Sequence, residues 1–238
     1  MALARRLDDR DRMVRTACHM ASALCRLGRA DESLELLLPL RAWVDEQPDD
    51  ALRMLWHGDW AVTLGNLGRL REAVQAYESA RAAARRAGLA DAEGRLMMNC
   101  AVTLRQSGRF DQALALAREG QARSAQDTND ATHRAIGRLV IARDEIDTGC
   151  YGPALASLED VLAQFESTRA GFWSHATRMV LSNLWLVLGQ PSRAVRLLDH
   201  DGPDVPPWLL ADRQLLRLDL ALATQQRPPP GALQLALA

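Results

Sequence analysis

The stretch "LGRLREAVQAYESA", Leu67–Ala80, sets a glycine between two helix-patterned apolar runs. Nearly the same phrase returns as "LGRADESLELL" from Leu27, "SGRFDQALALA" from Ser107, "TGCYGPALASL" from Thr148 and "LGQPSRAVRLL" from Leu188. The recurring glycines are Gly28, Gly68, Gly108, Gly149 and Gly189, at spacings of 40, 40, 41 and 40. A fixed period of this length is the signature of stacked supersecondary units. Ahead of Gly108, the residues Leu96, Met97, Cys100, Ala101 and Leu104 fall on one helical stripe, and after Gly68 so do Leu70, Ala73, Val74, Tyr77 and Ala84. Each glycine is therefore predicted to end one amphipathic helix in the left-handed conformation and to permit a tight reversal into the next.

Working outward, Pro153 and Pro191 follow their glycines by four and two residues. A first helical turn tolerates the missing N–H there. A second set of breaks, "EQPDD", "AGLADA", "QDTND", "ESTRA" and "DGPDVPP", falls about half a period from the glycines. Each unit thus reads as helix, short turn, helix, longer turn, with repeats over about 8–48, 49–88, 89–128, 129–168 and 169–204 and a partial sixth over 205–238. Small residues recur five places after the glycine (Ser33, Ala73, Ala113, Ala154, Ala194) and seven places before it (Ala21, Ala61, Ala101, Ala142, Ser182). Facing small side chains let antiparallel helices approach closely while larger neighbours fill the remaining space.

Composition agrees with an all-α chain of 238 residues forming one elongated unit. The apolar fraction is 48 %, only 5 % of residues are aromatic, and Ala and Leu, strong helix formers, dominate. Twenty-nine basic residues, all of them Arg, nearly balance thirty acidic ones, for a net charge of -1. No global field draws this chain to nucleic acid or to an anionic membrane. Cys18, Cys25, Cys100 and Cys150 form no C-x-x-C pair and read as small buried apolar residues. The N-terminus lacks a signal-peptide core, and no apolar run reaches about 18 residues, so the expected location is cytoplasmic.

The pattern resembles the tetratricopeptide repeat (TPR). In that family small residues occupy two helix-packing positions, a glycine marks the hairpin turn, and an aromatic or large apolar residue follows the turn by two. Leu70, Phe110 and Tyr151 occupy that last position, and Leu37, Tyr77 and Leu158 the large apolar position of the second helix. Departures are a period of about 40 rather than 34 residues, Ala in place of the usual first-helix glycine, Pro191 at the aromatic position, and no regular proline at the repeat end. The resemblance covers roughly Arg12 to Leu198 and implies a right-handed α-solenoid.

One further period predicts a turn near residue 229, where "RPPPG" stands at Arg227–Gly231, leaving only "ALQLALA" to cover the preceding helix. A repeat array needs a polar terminal cap. The expectation is a segment of a longer chain, or self-association through the uncapped C-terminal end.

No catalytic carrier is visible. His19, His57, His133, His175 and His200 show no H-x-x-x-H or H-E-x-x-H spacing, and no nucleophile elbow, phosphate loop or dinucleotide fingerprint occurs. Neither a metal nor a cofactor is expected. The cluster "MLWHGDW", Met54–Trp60, crowds two Trp, a His and an Asp into one stretch, yet Trp56 and Trp60 fall on the inward stripe and read as core.

In solenoids of this class the first helices line an inner groove, the usual place for a ligand. The resemblance puts groove positions nine, six and three residues before each glycine. Their polar members, His19, Asp59, Asn99, Arg105, Arg143 and Asn183, are the candidate site. Hydrogen bonding to a peptide or small ligand and simple solvation both fit these residues. A chaperone-type carboxylate clamp is disfavoured, since there is no Lys and Cys18 and Ser22 stand where Lys and Asn would be required. The functional expectation is a non-catalytic module binding a protein, peptide or small-molecule effector. The long period and Ala-, Leu- and Arg-rich wording resemble the C-terminal repeat regions of large bacterial transcriptional regulators of STAND/SARP type. A free-standing adaptor and a peptide receptor or phosphatase regulator are the alternatives.

Overall fold

A computed structural model describes residues 10–124, 131–198 and 207–224. Every regular element among them is helical. The chain divides into two compact units, Met1–Asn129 and Asp130–Ala238. The first holds α1 (Arg10–Arg26), α2 (Ala30–Leu37), a 3₁₀ turn (Leu38–Leu40), α3 (Arg41–Asp45), α4 (Asp50–Asn66), α5 (Leu70–Arg86), α6 (Ala90–Gln106) and α7 (Phe110–Ser124). The second holds α8 (Ala131–Asp147), α9 (Tyr151–Ser167), α10 (Gly171–Val187), α11 (Pro191–Leu198) and α12 (Pro207–Ala223). The expected breaks "QDTND" and "DGPDVPP" fall wholly or mostly outside the described residues, and "RPPPG", "ALQLALA" and His200 lie outside them entirely.

The glycine turns have a specific chemistry. Gly68 sits at φ +72°, its N–H bonds the Gly65 carbonyl at 3.0 Å, and the Arg69 N–H reaches back to Leu64 at 2.9 Å. These two bonds form a Schellman motif, which satisfies the carbonyls that α4 leaves open at its end. Gly28, Gly108, Gly149 and Gly189 take the same left-handed conformation. At the end of α9 the same geometry falls on Arg169, φ +54°, without a glycine. No glycine spacing marks that stop in the sequence.

Both sets of small residues are inaccessible to solvent, from Ala21 and Ser33 through Ser182 and Ala194. Ser182 Oγ donates to the Ala194 carbonyl at 3.2 Å, so the two positions face each other across the α10–α11 hairpin. Around them the second unit packs Leu158, Val161, Phe165, Leu181 and Leu184 into one core. In the first unit Trp56, Leu37, Leu52, Leu64 and Met97 are the largest fully buried apolar side chains. Trp56 and Trp60 stack at 5.2 Å between ring centroids, so both indoles of the "MLWHGDW" stretch belong to this core.

Two features depart from the sequence reading. The second helix of the first hairpin is broken into α2, a 3₁₀ turn and α3, with Pro39 inside the turn. Proline supplies no N–H to the helical ladder and its ring crowds the carbonyl four residues back. Cys18, Cys25 and Cys100 are buried, as a small apolar role requires, but Cys150 is exposed. It follows Gly149 immediately and sits on the rim of the turn, where no packed helix covers it.

The α6–α7 contact is tighter than any the small-residue pattern anticipates. Gly94 and Gly120 meet face to face, and a Cβ built on Gly94 would lie 2.5 Å from the Gly120 carbonyl oxygen. Beside them Glu93, 2 % exposed at its side chain, accepts hydrogen bonds from Arg85 (3.0 and 2.8 Å) and Arg123 (2.6 Å). Its charge is therefore shared by guanidiniums from α5 and α7.

Candidate functional site

The first helices of the first unit lie side by side. Ser22 Oγ on α1 donates to Asp59 Oδ1 on α4 at 2.7 Å, and Cys25 Sγ lies 3.6 Å from Thr63 Oγ1 one turn further along. On the other flank of α4, Gly58 and Gly65 leave room for α6. A Cβ on Gly58 would meet Leu96 Cδ2 at 3.2 Å, and one on Gly65 would meet Thr103 Oγ1 at 3.8 Å. Thus α1, α4 and α6 form a contiguous surface. On it His19 and Asn99 are exposed, while Asp59 and Arg105 are half-buried.

Asp59 is the electrostatic centre of this surface. Burial lifts its carboxyl above the ordinary aspartate value of 3.8, against hydrogen bonds from Ser22 and Cys18 and the nearby charges of His19 and Arg26. The same neighbourhood, chiefly through burial and then through the Asp59 charge, pushes the Cys18 thiol far up, so Cys18 is held as a neutral donor. The sign of the pH effect follows from linkage. As pH rises past the ordinary value, the unfolded chain ionises first, so stability falls until the folded carboxyl also ionises and then levels. The urea midpoint of the wild type should therefore decline over that interval, and Asp59→Asn should flatten the decline. Parallel curves for the two proteins would contradict this environment.

Of the six residues singled out in the sequence, His19 and Asp59 are brought into electrostatic reach of each other. Asn99 and Arg105 share α6, six residues apart. Arg143 on α8 and Asn183 on α10 are exposed in the second unit. What sequence reasoning missed is the partnership of Ser22 and Cys18 with Asp59. The pattern aligned these positions with a lysine and asparagine clamp and so recorded only what was missing there.

Among the described residues no group of three or more His, Cys, Asp or Glu is placed to hold a metal ion. None of their helices is long and apolar enough to cross a membrane.

The model of the family described as "Tetratrico peptide repeat" matches residues 1–83 and 65–172. The chain belongs to the tetratricopeptide-repeat family. No curated protein matches this TPR chain by sequence. Among solved structures, nearly identical TPR-like repeats of a Podosopora anserina kinesin light chain superpose with TM-score 0.64 at 19 % identity, covering 91 % of this chain and 98 % of that one. A Pyrococcus horikoshii Signal Transduction ATPase with Numerous Domains (STAND) protein with a tetratricopeptide repeat sensor gives 0.67 at 13 % identity, over 96 % of this chain and 36 % of that one. NprR in complex with its cognate peptide NprX gives 0.66 at 14 % identity, over 94 % and 65 %. At such identities these likenesses establish the TPR-like helical repeat fold, a scaffold for protein interaction.

Proposed function

We propose that this TPR chain is a non-catalytic, cytoplasmic sensing module whose first-helix surface binds a peptide or small effector and thereby controls a bacterial transcriptional regulator. The observation that carries the reading is the Ser22–Asp59 hydrogen bond between α1 and α4. It fixes a half-buried carboxylate on the surface shared by the exposed His19 and Asn99 and by Arg105. A few fixed polar groups on an otherwise packed surface are what orient a bound ligand. The two likenesses to a STAND sensor and to a peptide-bound NprR support the sensing and peptide-binding parts. Cys18, Cys25 and Cys100, free and buried, suit a reducing compartment. Arg143 and Asn183 extend the same role to the second unit.

The test is a peptide-library selection on the 238-residue chain, followed by titration of the selected peptide into the wild type and an Asn99→Ala/Arg105→Ala variant. Both substitutions remove polar groups from the surface without opening the core. The expected result is saturable binding weakened at least about tenfold in the variant, a loss of about 1.4 kcal/mol. Equal affinity of the two proteins would refute the site. A gene encoding no nucleotide-binding or DNA-binding segment in the same frame would favour the adaptor reading over the regulator.

A further inference from the structure

On the face of α4 opposite Asp59, the first unit carries a cavity of about 330 Å³ lined by Arg41 and Asp45 of α3, Arg53 and His57 of α4, and Ser79, Ala82 and Arg86 of α5. His57 and Asp59 are two positions apart, a rotation of about 200° around the helix, so this cavity and the first-helix surface are distinct. We infer that the cavity binds the phosphate group of a phosphate-bearing ligand, gripped by the guanidiniums of Arg41, Arg53 and Arg86.

Several arginines elsewhere in this chain close onto a carboxylate: Arg29–Glu32 at 2.5 Å, Arg69–Glu72 at 2.7 Å, Arg123–Glu93 at 2.6 Å. In the cavity Arg86 does the same, but Arg41 and Arg53 do not. Arg41 Nε stays 3.9 Å from Asp45, and Arg53 stays 3.7 Å from Asp50, both beyond hydrogen-bond length. Arg53 Nε is moreover buried with no hydrogen-bond partner. The carboxylates are held by others instead. Asp45 faces His57 Nε2 at 3.2 Å, and Asp50 Oδ1 accepts Nε and one Nη of Arg86 at 3.0 and 2.8 Å.

Three guanidiniums against two carboxylates leave an excess positive charge around a hollow. Burial lowers the His57 pKa despite Asp45, and the neighbouring Arg53 and Arg41 lower it further, so the imidazole adds little charge. Forks arriving from three separate elements match a group with three equivalent acceptor oxygens better than a carboxylate, which a single fork satisfies. The volume is at the lower end for ligand pockets, which fits one phosphate and a small attached group.

The experiment titrates inorganic phosphate, a phosphoserine peptide and its unphosphorylated twin into the full 238-residue chain by calorimetry, for the wild type, Arg41→Gln and Arg53→Gln. Phosphate and phosphopeptide should bind saturably and compete, the unphosphorylated twin should not bind, and each variant should bind phosphate at least about tenfold more weakly. Arg41 is mostly exposed, so its variant tests the site without threatening the fold. A phosphopeptide binding tighter than phosphate identifies a phosphorylated protein as the source, and equal affinity identifies a free phosphorylated small molecule. The Asn99→Ala/Arg105→Ala variant should keep its phosphate affinity, which separates this site from the first-helix surface. No saturable phosphate binding, undiminished binding by both variants, or equal binding of the unphosphorylated twin would overturn the assignment.

Discussion

Gly94→Ala should unfold the first unit more readily than any other single added methyl group, at a cost of about 3 kcal/mol or more. The new Cβ would lie 2.3 Å from Ser124 Oγ, 2.5 Å from the Gly120 carbonyl oxygen and 2.8 Å from the Ser124 backbone nitrogen. The side-chain hydroxyl can turn away. The two backbone atoms cannot, because they belong to the hydrogen-bonded ladder of α7, so α6 and α7 must separate along their length. Separation strips contacts from Met97 and Met98, which pack beside Gly120. Interiors as dense as organic crystals do not refill such a gap. A control at Gly152, whose added Cβ meets nothing within 4 Å, should shift stability far less. The check is the urea midpoint followed by circular dichroism, with amide exchange to localise the loss to α6 and α7. A Gly94→Ala protein as stable as the Gly152→Ala control would show that the helices are not so close.

The second large effect concerns Glu93. Deleting both arginine partners, as Arg85→Ala/Arg123→Ala, should cost roughly 3–5 kcal/mol, since it leaves a carboxylate buried without compensation. The reverse deletion, Glu93→Ala, should cost less. Arg85 and Arg123 are 62 % and 38 % exposed at their side chains, so water can take over the bonds the carboxylate accepted. The asymmetry is the informative part, because a merely decorative ion pair would lose about the same from either side. Equilibrium unfolding of the three proteins decides it, and a double-arginine variant no less stable than Glu93→Ala would refute the buried-charge account.

How much of this was legible in the sequence depends on what carries the information. The glycine turns and small-residue positions were readable because each is set by a local constraint: a left-handed backbone at Gly68, no space at Ala73 or Ala101. The break at Pro39 was also local, yet the surrounding leucines kept the helical stripe intact and hid it. Arg169 ends α9 with a side chain that gives no hint of a left-handed conformation. The candidate surface was legible as positions on helices but not as partnerships. Ser22 and Asp59 are 37 residues apart, and their bond exists only because α1 and α4 pack at a particular height. The charged cavity is more hidden still. Arg41, Arg53 and Arg86 come from three elements with no common spacing, and one of those elements exists as a separate helix only because of Pro39.

That interruption also changes what the first hairpin is. An unbroken second helix would carry its residues onward along a single axis. The proline instead sets off a short separate helix, α3, whose Arg41 and Asp45 line the cavity beside Arg53 and His57 of α4. A scaffold of repeated hairpins thus gains an individual corner at the one that carries Pro39. Among the described residues the equivalent places, Ser79, Glu119 and Asp160, lie inside unbroken helices, so the chemistry of this corner is particular to the first hairpin.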